Sequence, residues 1–254
     1  MSFRGRVVAC LGLLTLVTGC MPLGPDGSPP VPTVTSSSAA IAPEAPAASS
    51  VVDVTSFKSR VVGAAQGVPT GTFQLVIRTG LPSGDLTLRY NGAYDVTDPT
   101  TPRCRLDGSQ NGQPLTVISV GDKLYTRAGT GKYVLSSVST AVARLGLVTV
   151  RPDLPTFAAL LGSSVRGLTD LGPDTVGGLS VERWRTLVDA SVFAPSSPGA
   201  ATVDLWLDSA GLLRQVSYSL NSTGASPTTT RVTLTYANFN DPVDITEPAS
   251  SELR

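Results

Sequence analysis

The strongest constraint on this chain is a two-residue alternation of apolar and polar side chains that recurs between short turns. Phe73, Leu75 and Ile77 alternate with Gln74, Val76 and Arg78. Beyond Gly80-Leu81-Pro82-Ser83-Gly84, Leu86, Leu88 and Tyr90 alternate with Thr87, Arg89 and Asn91. Successive side chains of a strand point to opposite faces, so each run presents one dry face and one wet one. Further short strands are expected at 104–107, 115–120, 123–127 and 132–135, with turns at Asp107-Gly108, Gly121-Asp122 and Gly129-Thr130-Gly131. The pattern returns later, with Trp184, Thr186 and Val188 set against Arg183, Arg185 and Leu187, and with Val203, Leu205 and Leu207 set against Asp204, Trp206 and Asp208. Asp208-Ser209-Ala210-Gly211 reads as a hairpin turn, after which Val216, Tyr218 and Leu220, then Val232, Leu234 and Tyr236, continue the alternation.

Two stretches change period. Val54, Phe57, Val61 and Ala65 approach helical spacing and predict a helix over 51–66, with Ser49, Ser50 or Asp53 available as its cap. Val138, Val142 and Leu145 repeat that spacing, and Pro155 opens a second short helix containing Phe157, Leu160 and Leu161. Eight to eleven antiparallel strands with a helical insert and no βαβ alternation point to an α+β domain. In it a curved antiparallel sheet has its concave side covered by helices. Residues 51–254 suit one such domain.

The first fifty residues have a different purpose. Arg4 and Arg6 precede an apolar stretch over 7–17, which is too short for a spanning helix of roughly 20 residues and matches a signal-peptide core. Leu16-Val17-Thr18-Gly19-Cys20 is similar to a bacterial lipobox. That likeness implies a signal peptide over 1–19 and a diacylglycerol anchor on the Cys20 thiol. It places the chain on the extracytoplasmic face of the cell membrane, in the envelope, held by palmitate-type acyl chains that add about 0.8 kcal/mol per buried methylene. Residues 20–50 are rich in Pro, Ser and Ala, show no period, and are expected to form a disordered tether with a reach of about 30 Å. Cys10 lies in the removed peptide and Cys20 carries the anchor. Cys104 is then the one cysteine left in the mature chain and reads as a small core residue.

Catalytic chemistry is hard to build from this sequence. There is no histidine, which excludes Ser-His-Asp and Cys-His catalysis and removes the commonest zinc ligand. Gly129-Thr130-Gly131-Lys132 lacks the spacer and following hydroxyl of a phosphate loop and reads as a hairpin turn. Asp95, Asp98 and Asp107 are too loosely spaced for a calcium loop and read as surface loop acids. Asp204 and Asp208 stand about 13 Å apart along a strand, too far for a glycosidase carboxylate pair. Nineteen basic residues balance nineteen acidic ones, so nothing draws the chain to nucleic acid. No enzyme activity, cofactor or metal is expected, and a monomer is.

What remains is apolar surface. The inward faces are expected to carry Leu75, Ile77, Leu86, Leu88, Tyr90, Val117, Tyr125, Leu205, Leu207, Val216, Tyr218, Leu234 and Tyr236, joined by Phe157, Leu160 and Leu161 from the insert. They either fill an ordinary core or line a pocket for acyl chains. In the pocket reading, Tyr90, Tyr125, Tyr218 and Tyr236 suit its rim, since a buried phenol needs a partner.

Several longer stretches are familiar. Lys123 to Ser137 ("KLYTRAGTGKYVLSS"), Val165 to Asp189, Val203 to Leu220 ("VDLWLDSAGLLRQVSYSL") and Leu234 to Ser250 ("LTYANFNDPVDITEPAS") follow one another in an order that resembles the actinobacterial lipoprotein family of LppX and LprAFG. The resemblance covers most of residues 70–250. It implies a LolA-like half-barrel with an apolar cavity between sheet and helices, and a role in carrying or transferring a lipid or lipoglycan across the envelope. The alternative is an envelope lipoprotein with a filled core that docks a transporter or cell-wall partner and binds no lipid.

Overall fold

The computed structural model describes residues 53–80, 84–110, 112–138, 152–193, 199–221 and 228–254. Cys20, the tether, Val142 and Leu145 lie outside them. Helix α1 (Val54–Gln66) leads into strands β1 (Thr70–Thr79), β2 (Leu86–Asp95), β3 (Arg103–Gln110), β4 (Gln113–Val120), β5 (Lys123–Ala128) and β6 (Val134–Ser137). Helix α2 (Leu154–Ser164) follows, then β7 (Leu168–Val176), β8 (Leu179–Asp189), β9 (Ala200–Leu207), β10 (Leu213–Asn221) and β11 (Thr229–Ala237). Asp53 caps α1, accepting from the amides of Thr55 and Ser56; Asp153 caps α2, accepting from the Thr156 amide at 2.8 Å.

Among the described residues the eleven strands form one antiparallel sheet, ordered β6-β5-β4-β3-β2-β1-β11-β10-β9-β8-β7. Two meanders are therefore joined where the first strand meets the last, with Leu75 opposite Leu234 and Phe73 opposite Tyr236. The edges β6 and β7 do not pair, so the sheet is an open half-barrel with its helices on the inner side. Phe57 of α1 meets Trp184 of β8 edge to face, with ring centroids 5.4 Å apart. Phe157 of α2 reaches Phe193, which stacks on Tyr218 of β10 at 4.0 Å.

The sequence does not announce β7. It is an edge strand with no dry face, interrupted by an irregularity between Asp170 and Gly172 and carrying Pro173, which only an edge tolerates well. Asp107, expected in a loop, lies within β3, where Arg105 donates to it at 2.7 Å. The Asp208–Gly211 turn is present, with Gly211 at φ 82° and the Asp208 carboxylate accepting from the amides of Ala210 and Leu212.

The outer face is dressed unevenly. The chain after β11 crosses the outside of β3–β5 as a strap. There Ile245 is buried with Ile118, Val120, Tyr125 and Tyr133 in a second small core. Lys123 and Tyr125 both donate to Glu247, and the Arg254 amide donates to the Tyr133 carbonyl at 2.9 Å.

Candidate functional site

The inner layer is built from alternate residues of nearly every strand. Of the sixteen expected inward residues, Leu75, Tyr90, Phe157, Leu161, Leu205, Leu207, Val216, Tyr218, Leu234 and Tyr236 join one buried cluster, and Ile77, Leu88 and Val117 pack against it half-buried. Three depart. Leu86 faces inward at the mouth of β2 yet is 37% exposed, in the part of β2 that extends past its pairing with β3, which spans Tyr90 to Asp95. Leu160 is half-buried on α2 outside the cluster. Tyr125 is on the opposite face. The two-residue turn Gly121-Asp122 pairs Val120 with Lys123, so Tyr125 stands beside Ile118 while Val117 shares its face with Thr126. Tyr218 and Tyr236 are deep in the layer rather than at a rim.

Sequence reasoning missed three aromatic–glycine pairs on the floor of this layer. Tyr94 is opposite Gly71, Phe73 opposite Gly92, and Tyr90 opposite Gly108. A Cβ on Gly71 would stand 2.8 Å from the Tyr94 hydroxyl, and one on Gly92 would stand 2.6 Å from the Arg105 carbonyl. Each ring thus lies flat across a glycine of the neighbouring strand, which covers exposed backbone and keeps the floor low. The signal was present as three glycines on the inward parity of β1–β3.

Polar groups within this apolar layer are few. The Tyr94 and Tyr236 hydroxyls, the Ser119 hydroxyl and the Trp184 indole N–H are buried without a hydrogen-bond partner among the described residues. Burial pushes the phenols of Tyr94 and Tyr236 far above their ordinary range, and the nearby Asp153 carboxylate reinforces the shift, so all remain protonated. Burial alone does the same to Tyr218. Cys104 is buried beside them, opposite Tyr94. The layer therefore offers uncharged O–H and N–H groups within hydrocarbon. Among the described residues no cluster of side chains is suited to a metal ion.

Two concavities among the described residues lie elsewhere. One groove runs between α1 and α2, past Val62, Gly63, Ala159 and Gly162. The other is a polar cleft on the outer face of β8–β11.

No protein-family model matches the chain, and no curated protein matches it significantly. Solved structures do. LprF from Mycobacterium bovis superposes with a TM-score of 0.55 at 16% identity, over 78% of this chain and 97% of its own. The chain has the fold of LprF. The lipoprotein LppX from Mycobacterium tuberculosis gives 0.51 at 17% identity, over 76% of this chain and 98% of its own. This fold agrees with the curved antiparallel sheet expected from the alternation and with the LolA-like half-barrel that the resemblance implies.

Proposed function

We propose that this protein is an envelope lipoprotein, anchored through Cys20, that holds and passes on a lipid between its sheet and its helices, without catalysis. The observation that carries this reading is the set of unpartnered donors in the inner layer: Tyr94, Tyr236, Ser119 and Trp184. Leaving a buried donor unsatisfied costs about 1–3 kcal/mol, so a layer retaining several is suited to a ligand that brings acceptors. An ester or carbonyl oxygen meets that need, and its hydrocarbon tail matches the surrounding Leu, Val and Phe side chains.

The inner side chains pack on one another, so entry of a tail requires α1 and α2 to lift. They are held there by apolar packing, with Phe57, Val61, Phe157 and Leu161 in the buried cluster, and by an exposed Arg60–Glu182 pair at 3.0 Å. A sixteen-carbon chain gains a gross 12 kcal/mol or so from about 0.8 kcal/mol per methylene, enough to offset local opening and the cost of association. The fold shared with the lipoprotein LppX agrees with this placement.

The test is organic extraction of the purified protein followed by mass spectrometry, with titration of a fluorescent fatty acid alongside. Acyl lipid in the extract, or saturable uptake of the probe, supports the carrier. A protein that yields no lipid and takes up no probe is a docking lipoprotein with a filled core.

A further inference from the structure

The strap covers the outside of β3–β5 and leaves the outside of β8–β11 open. A cleft of about 340 Å³ opens there, at the low end of the roughly 300–1,000 Å³ typical of small-ligand pockets. Its floor carries the small hydroxyl residues Thr202, Ser217 and Ser219, and its walls carry Arg183 and Arg185 from β8 and Arg231 from β11. Register explains the grouping. Arg185 faces Asp204, Ser217 also faces Asp204 from the other side, and Ser219 faces Arg231.

The charges do not cancel. Asp204 accepts from Arg183 Nη2 at 2.7 Å and from Arg185 Nε and Nη2 at 2.7 and 3.0 Å, so one carboxylate serves two guanidinium groups. Arg231 adds a third cation with no ion pair among the described residues. Asp174, half-exposed at the margin, stands 4.0 Å from Arg183 and accepts the Trp206 indole N–H at 2.8 Å. The lining therefore holds a surplus of two positive charges, or one when Asp174 is included. The Arg183 Nε–H is buried and has no acceptor among the described residues. Trp206 does not compete for a ligand, since Arg183 already lies over its ring at 4.9 Å.

We infer that this cleft binds a phosphate monoester of a small sugar or polyol. The phosphate, carrying a charge of about −1.5 to −2 at neutral pH, matches the surplus and the planar guanidinium donors. The hydroxyls of the ligand meet Thr202, Ser217 and Ser219. The site is on the opposite face of the sheet from the lipid layer and does not depend on it.

The indole N–H of Trp206 is the reporter, read by heteronuclear NMR on the purified protein, with its signal assigned by Trp206→Phe. Glucose 6-phosphate is expected to shift it saturably, with a Kd on the order of 1 mM or tighter. Glucose is expected to leave it in place, and inorganic phosphate to bind more weakly than the ester. Arg231→Gln removes an exposed side chain with no ion pair among the described residues, so the fold is expected to survive it, and the ester is expected to bind about tenfold more weakly. Absence of a saturable shift with glucose 6-phosphate overturns the inference. So does glucose binding as well as its phosphate, inorganic phosphate binding as well as the ester, or unchanged affinity in Arg231→Gln.

Discussion

Tyr236 lies among buried side chains near the Asp153 carboxylate, with a hydroxyl that has no hydrogen-bond partner among the described residues. In the empty protein that hydroxyl is a liability, and Tyr236→Phe is expected to leave stability unchanged or raise it by about 1 kcal/mol. With lipid present it becomes a donor, and the same substitution is expected to weaken uptake of a fluorescent fatty acid ester about tenfold. Thermal unfolding and probe titration separate the two effects; parallel losses in both would reduce Tyr236 to a packing residue. The phenols also set an alkaline limit. Burial raises the folded pKa of Tyr94, Tyr218 and Tyr236 above the ordinary 10.0. Below pH 10 both folded and unfolded chains keep these protons, and the full stability is present. Above it the unfolded chain releases protons that the folded chain retains, so stability falls as pH rises. Absorbance of phenolate should show these three tyrosines ionising only together with loss of the near-UV circular dichroism; ionisation of all six in the native protein would contradict their burial.

At the scale of elements, the flat aromatic floor and the outer strap carry separate costs. Gly92→Ala forces a methyl against the Phe73 ring and the Arg105 carbonyl. It is expected to lower stability by roughly 1–3 kcal/mol in chemical denaturation; a neutral effect would mean that the strands part more easily than their register implies. Ile245→Ala empties the centre of the strap's small core and should cost about 2–4 kcal/mol. Glu247→Gln removes the charge from an exposed, solvent-screened pair with Lys123 and leaves an amide oxygen to accept from Tyr125, so it should shift the unfolding midpoint little. Equal effects from the two would show that charge rather than burial fastens the strap. Much of this scale was legible. Alternation located β1, β2, β8, β9, β10 and β11, because one buried face imposes a period of two. The side taken by Tyr125 was legible too, through the two-residue Gly121-Asp122 turn, but it requires counting across the hairpin rather than along one strand. The strap was not, since 238–254 has no period and is fixed by contacts more than a hundred residues away.

For the whole molecule, what the sequence hid is the central seam. Hairpin turns predict that consecutive strands pair, and within each meander they do. Nothing local says that β1 pairs with β11, because no turn joins them and more than 150 residues separate Thr79 from Thr230. The candidate site straddles that seam: Leu75, Phe73 and Tyr94 come from one meander, and Leu234, Tyr236, Val216 and Leu205 from the other. Neither half holds the inner layer alone, so the proposed ligand site exists only when the seam is closed. The edges are different. β6 has exposed Val134 and Leu135, and β7 is exposed along most of its length. Backbone hydrogen bonds in poorly buried edge strands open locally, whereas those in a doubly flanked, buried strand open only with global unfolding. Native-state hydrogen exchange is therefore expected to rank β6 and β7 fastest and β1 and β11 slowest. If lipid enters by the proposed lifting of the helices, added lipid should slow α1 and α2 more than the seam. Seam amides exchanging as fast as those of β7 would mean that the two meanders are separate folding units meeting loosely. A sheet joined in that way could not hold one continuous apolar layer across its middle.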